Sequence, residues 1–275
     1  MKVFMMMACL FSLSASAEML KDTIHSIVKG DENTHLVRFH SGRVAMVKKG
    51  EDTVLEQAIQ AHGYQVEAAL DKKNYLVSLK SINSTVSEKL LLDVDPPAYT
   101  PSVVSESEIQ NIYNRMNPNF KRRSECSDRA HVWAHDEFKK HGTMGQKAFI
   151  FVVNQYIIKH NFKWWFHVAP MYDVSTRNGV QKMVLDYQYK DRPVTVKEWS
   201  DMMIFSKKEC KMTTKFSEYD VNPQIEDCYM MFVSMYYHFP GEIHEQETKG
   251  IYRSSFNDSL VNGARSRAFN SGSIQ

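Results

Sequence analysis

Three side chains of the right types for acyl-transfer chemistry occur in the order Cys126, His167 and Asp186. A cysteine nucleophile needs a base, and the base needs a group to orient it. Cys126 lies in SECSDRAHVWAH, residues 124–135, where a metal ligand, half a disulfide, a buried thiol and a nucleophile are all open readings. Ser124 is a good N-cap. After it, Cys126, Ala130, Trp133, Ala134 and Phe138 recur at helical spacing and form one apolar face ending near Gly142. Cys126 is thereby predicted in a first helical turn, where unpaired N–H groups and the positive end of the helix dipole favour a thiolate. The same N–H groups suit a developing oxyanion.

Downstream, KAFIFVVNQYII reads as a strand-like run, followed by KWWFHVAPMYDV and VQKMVLDYQY joined through STRNG. Asn178-Gly179 is a hairpin signal. A two-residue turn there sets Asp186 opposite Met171, and a wider loop spanning residues 174–179 opposes it to His167. Both registers put His167 and Asp186 on one face, because residues 167 and 171 share parity. Trp164 and Trp165 alternate across their strand, one toward the interior and the other available to line a cleft.

The N-terminus, MKVFMMMACLFSLSASAE, has a lysine, an apolar run from Val3 to Leu13 and the small-x-small sequence Ala15-Ser16-Ala17. Residues 1–17 are therefore read as an export signal, and the mature protein as secreted or periplasmic and soluble. No later stretch is long and apolar enough for a membrane span. Without Cys9, the cysteines are Cys126, Cys210 and Cys228. In an oxidising compartment this odd count implies one pair and one free thiol. Cys210 and Cys228 flank a single segment and are the expected disulfide, leaving Cys126 free.

The composition, 43% hydrophobic and 24% charged over 275 residues, suits a globular protein. A net charge of +2 offers no electrostatic footprint for nucleic acid. His131 and His135 share one helix side, but HVWAH lacks the glutamate of a zincin and no third ligand is evident, so no metal is expected. HEQE at residues 244–247 reads as a solvated charge cluster.

The preceding elements form a unit of their own. HLVRFHSGRVAMVKK predicts two strands around Ser41-Gly42, EDTVLEQAIQAHG a helix stopped by Gly63, and YQVEAAL and NYLVSLKS two further strands, a ββαββ-like pattern. DVDPPAYTPS, with its prolines, reads as an extended linker. The predicted organisation is a signal at 1–17, an N-terminal unit at 18–95, a linker at 96–104 and a catalytic domain at 105–275. Within the last, SESEIQNIYNRM reads as a helix, and Thr195 with Glu198 as a capping box opening another.

The combination of SECSDRAHVW, WWFHVAP and MVLDYQY resembles the bacterial protein-glutamine glutaminases, over roughly residues 105–240. The resemblance implies an α+β, transglutaminase-like or papain-like fold with an antiparallel sheet, and a Cys-His-Asp triad. It further implies conversion of protein-bound glutamine to glutamate with release of ammonia and no cofactor. Matched residue by residue, Cys126 is the nucleophile, His167 the general acid/base and Asp186 its orienting partner. Trp164, Trp165 and Tyr187 are expected near the substrate; Tyr187 stands where the family often has proline. Enzymes of this kind are made with a propeptide over the active site. The N-terminal unit is accordingly expected to be an inhibitory pro-domain placing an apolar or amide side chain in the Cys126 cleft. The expected partners of the monomer are proteins with exposed glutamines and its own pro-domain, with no nucleic acid and no membrane. The same triad would also serve a transglutaminase or cysteine protease, and a non-enzymatic secreted binding protein would leave Cys126 idle.

Overall fold

The computed structural model describes residues 17–82, 99–118, 120, 125–204, 210–221, 228–250 and 256–269. Residues 1–16 of the expected export signal, residues 96–98 of the expected linker and the Ser124 cap lie outside these residues. The architecture is mixed α+β, built on two sheets.

The N-terminal unit contains β1 (Glu18–Lys29), β2 (Thr34–Phe39), β3 (Val44–Lys48), α1 (Asp52–Gln60), β4 (Gln65–Leu70) and β5 (Leu76–Ser81). All its pairings are antiparallel, in the order β3-β2-β1-β4-β5. The expected ββαββ pattern is thus one strand short. The missing element, β1, holds the centre of the sheet, yet its sequence EMLKDTIHSIVK mixes lysine, aspartate and histidine among its apolar residues. Alternation is weak because the strand pairs with β4 along its first half and with β2 along its second, across a register shift. Leu20, Ile24, Val37, Ala58, Val66 and Leu76 make the unit's own core.

The second sheet is assembled from β6 (Val103–Ser105), α2 (Glu106–Asn114), α3 (Cys126–His141), β7 (Gln146–Val152), α4 (Asn154–His160), β8 (Phe166–Thr176) and β9 (Gly179–Val184), and from the elements after them. These are β10 (Val194–Thr195), α5 (Val196–Met203), β11 (Lys211–Met212), α6 (Phe216–Val221), β12 (Cys228–Ser234), α7 (Pro240–Lys249) and α8 (Asp258–Phe269). Its order is β10-β9-β8-β7-β12-β11, with β6 parallel to β8 and β11 parallel to β12. Residues 103 and 104, expected in the linker, are therefore part of this sheet.

The run KAFIFVVNQYII divides into strand β7 and helix α4, because a short apolar run does not distinguish the two periods. Asn154 opens α4 and accepts a bond from Arg38 Nη2 at 2.8 Å. The hairpin adopts neither expected register. Thr176 pairs with Gly179, so Arg177-Asn178 makes the turn and Gly179, at φ 101°, follows it. Asp186 then falls in line with Ala169, one pair diagonal to His167 and still on its face. Leu185 N–H to Pro170 O, at 2.9 Å, carries this register past the end of β9.

Helix α3 packs on β8 and α8. It is buried on nearly every side along its first three turns, and Gly142 closes it in the left-handed conformation at φ 71°. Thr195 Oγ1 accepts from Glu198 N–H at 3.2 Å, as the cap of α5. The Cys210–Cys228 disulfide is formed and joins the segment before β11 to β12.

Candidate active site

The Cys126 thiol opens helix α3, is 3% exposed and is the free cysteine among the described residues. His167 reaches it from β8, and Asp186 from the turn after β9. Nε2 of His167 lies 2.7 Å from Oδ2 of Asp186, which leaves Nδ1 for the hydrogen bond to Cys126. Burial opposes charge on all three. For Cys126, the His167 and Arg129 charges and the Val168 N–H outweigh burial and bring the thiol below its ordinary range. For His167, the Asp186 and Cys126 charges outweigh burial and raise the imidazole to about 9. Asp186 is kept below the usual carboxylate range despite burial by His167, by the Trp199 indole and by Arg129. The favoured state is a thiolate–imidazolium pair steadied by a carboxylate.

Three neighbours were given no role from the sequence, although Arg129 stands in the Cys-x-x-Arg-Ala start on which the resemblance rests. Trp199, fully buried in α5, donates its indole N–H to Oδ2 of Asp186 at 2.8 Å. Arg129, three residues along α3 from Cys126, donates from Nη2 to Oε1 of Gln188 at 2.6 Å. Gln188 N–H in turn bonds Oδ1 of Asp186 at 3.2 Å. The i, i+3 placement of Arg129 was a readable signal. Trp199 read as one more core residue of an amphipathic helix, and Gln188 carried no signal.

A cleft of about 220 Å³ opens on Cys126 and His167, walled by Trp164, Gln188, Tyr189 and Met203. Of the residues expected near substrate, Trp164 lines it. Trp165 does not: it is fully buried, with its indole N–H on Phe39 O at 2.8 Å. Tyr187 does not either, and lines a second, smaller cavity together with Cys126, Arg129 and Leu185.

The N-terminal unit closes one side of this cleft. Trp165 N–H donates to Gly42 O at 2.8 Å and Val44 N–H to Lys163 O at 3.0 Å, a backbone bridge centred on Arg43 and Trp164. Arg43 lines the cleft with its guanidinium over the Trp164 ring, 5.4 Å from the centroid. Among the described residues of this unit, the side chain that lines the cleft is a cation, Arg43. Glu18 holds it in place, 2.6 Å from Arg43 and 3.1 Å from Lys163. Leu36, Val44 and Met46 join the same apolar core as Cys126 and Phe149.

His131 and His135 have partners of their own. His131 stacks on His238 at 4.2 Å and its Nδ1 lies 2.7 Å from Lys147 Nζ, while His135 Nε2 lies 3.1 Å from Asp258. Among the described residues no group of His, Cys, Asp or Glu is arranged to hold a metal ion. Within HEQE, Glu247 accepts the Phe216 and Ser217 N–H groups at the start of α6, which makes it a cap more than a solvated charge.

Comparison with known proteins gives a consistent assignment. The family described as Glutaminase matches residues 103–203. The fold is similar to the crystal structure of pro-protein-glutaminase, at 12% identity and a TM-score of 0.55, covering 94% of this chain and 97% of that one. A mutant of pro-protein-glutaminase matches at 13% identity and a TM-score of 0.55, covering 90% and 93%. No curated protein matches. Cys126, His167 and Asp186 all fall within the segment that the glutaminase family matches.

Proposed function

We propose that this protein is a secreted protein glutaminase, made as a precursor, that hydrolyses the side-chain amide of protein-bound glutamine through Cys126, His167 and Asp186. The observation that carries the reading is the placement of a thiol at a helix start, hydrogen-bonded to an imidazole whose far nitrogen lies 2.7 Å from a buried carboxylate. The thiolate attacks the glutamine carboxamide carbon, and the N–H groups of the first turn of α3 hold the oxyanion. The His167 imidazolium gives its Nδ1 proton to the departing nitrogen, so ammonia leaves and a thioester remains on Cys126. Neutral His167 then takes a proton from water, the hydroxide adds to the thioester, and collapse returns the thiolate and leaves a glutamate side chain in the substrate protein. Asp186 keeps Nε2 protonated throughout. Each step is completed by side chains and water, as expected if the α+β fold is of the transglutaminase-like class.

The Cys210–Cys228 disulfide supports an oxidising compartment, hence export. The bridge at Gly42, Arg43 and Val44 supports residues 18–95 as an inhibitory pro-domain, since it occupies a wall of the cleft that a polypeptide substrate must enter. The test is incubation with an unfolded glutamine-rich protein, measuring ammonia and mapping amide-to-acid conversion by mass spectrometry. Ammonia with intact chains is expected. Cross-links would reassign the acyl acceptor to an amine, fragments would make the enzyme a protease, and no reaction after limited proteolysis would leave a binding protein.

A further inference from the structure

Gln188 occupies the cleft with an orientation that the chemistry of its neighbour dictates. Its Oε1 lies 2.6 Å from Arg129 Nη2. A guanidinium has donors and no acceptor, so the oxygen of the amide must face Arg129 and the NH2 must face the other way. Among the described residues the bond given to Nε2 is to the Tyr189 hydroxyl at 3.4 Å, near the long limit for a hydrogen bond. Tyr189 and Gln188 both line the cleft that opens on Cys126 and His167. The backbone here is also held. Gln188 N–H bonds Oδ1 of Asp186 at 3.2 Å, and Tyr189 and Lys190 N–H bond Asp186 O at 3.1 and 2.9 Å. Arg129 rides on α3 three residues after Cys126, so the donor-bearing amide is tied to both the nucleophile's helix and the carboxylate's turn.

We propose that Gln188 is a substrate-contacting residue, its Nε2–H group donating to the carbonyl oxygen of the glutamine side chain and stabilising that oxygen as it becomes an oxyanion. It supplements the backbone donors at the start of α3 with a neutral, pre-oriented side-chain donor. Arg129 is a positioning residue in this arrangement, keeping the amide from turning its oxygen into the cleft.

The proposal rests on Cys126 being the nucleophile, and the test separates the two. Gln188→Met, Gln188→Glu and Cys126→Ala are made in the full-length chain. Each is compared with the parent, before and after limited proteolysis, for ammonia release from a blocked glutamine peptide, and for alkylation of the thiol by iodoacetamide where it is present. Gln188→Met is expected to lower kcat by roughly a hundredfold with KM little altered. The alkylation rate of Cys126 and its pH dependence should stay at the parent's values, since no charge changes. Gln188→Glu keeps the size and strengthens the pairing with Arg129, so a structural role would tolerate it. An acceptor facing the oxyanion should instead reduce kcat at least as far as Met does, in a protein whose melting temperature is retained. Parent-level kcat in either variant, or a fall in kcat matched by an equal fall in alkylation, would overturn the role given to Gln188 alone. Ammonia release by Cys126→Ala, or none from the parent, would overturn the reading beneath it.

Discussion

Oδ2 of Asp186 receives two donors at once, His167 Nε2 at 2.7 Å and the Trp199 indole at 2.8 Å. The carboxylate is therefore pinned from behind by a fully buried ring while it orients the imidazole in front. Asp186→Asn should fold, yet its amide favours the wrong imidazole tautomer, and a rate loss on the order of a thousandfold or more is expected. Steady-state ammonia release measures this. A fully active Asp186→Asn would mean that another group orients His167.

Trp199→Phe keeps the ring and removes the donor. Loss of a hydrogen bond to a charged acceptor should cost about 2 kcal/mol of stability near neutral pH. The rate should fall much less than in Asp186→Asn, because Asp186 still faces His167. Urea unfolding alongside kinetics checks both parts. Unchanged stability would show that Asp186 does not depend on the indole.

Cys126→Ala or Cys126→Ser should abolish ammonia release while leaving circular dichroism and the melting transition close to the parent's, since a helix start accommodates either residue. Residual turnover in Cys126→Ala would remove the thiol from the mechanism.

The pH dependence follows from the directions of the shifts. Cys126 ionises below its ordinary value, so alkylation should already be fast well under the normal thiol range. His167 is raised to about 9, so the proton needed by the departing ammonia is present below that pH and lost above it. Linkage has the same sign. A raised imidazole contributes stability that is complete below its unfolded value of 6.5 and disappears as pH rises through about 9. Asp186→Asn deletes the leading attraction that raises His167, so the alkaline limb of activity should move to lower pH. A base limb unmoved in that variant would assign it to a different group.

What was legible in the sequence depended on periodicity and on parity. The face of α3, its Gly142 stop and the Thr195 cap are local signals, and each was readable. His167 and Asp186 reached one face although the hairpin took neither considered register, because a shift by an even number of residues preserves the face. Strand β1 was missed because each half answers to a different neighbour, and α4 because NQYII is as apolar as the strand before it. The contacts of Trp199 with Asp186, of Gln188 with Arg129 and of Arg43 with Trp164 join residues far apart in sequence, and no local pattern encodes them.

The Cys210–Cys228 bridge closes a segment with a sequence separation of 18. In the chain-entropy account it should contribute about 3 kcal/mol. The double variant Cys210→Ala, Cys228→Ala should unfold at correspondingly lower urea concentration and remain active at moderate temperature, since neither cysteine lines the cleft. Non-reducing peptide mapping of active protein checks the pairing, and a link to Cys126 would contradict it.

The N-terminal unit should restrain the enzyme through its Ser41–Arg43 turn. Gly42 takes φ 95°, and a Cβ there would meet Phe166 O at 3.0 Å, so only glycine lets the turn approach the strand that carries His167. Its carbonyl accepts the Trp165 N–H, and the next residue, Arg43, fills the cleft edge against Trp164. Gly42→Val should therefore loosen the docked turn without touching Cys126, His167 or Asp186. In full-length protein this should raise both iodoacetamide alkylation of Cys126 and ammonia release from a glutamine-rich protein. Limited proteolysis of the parent, with cuts expected in or near DVDPPAYTPS, should raise the same two rates, and further than the substitution does. The variant and the parent should then converge after proteolysis, because the altered residue is removed with the unit. If the intact parent is already as active as the domain beginning near residue 103, the unit is a permanent docking domain and its contact with the cleft serves substrate capture instead of restraint.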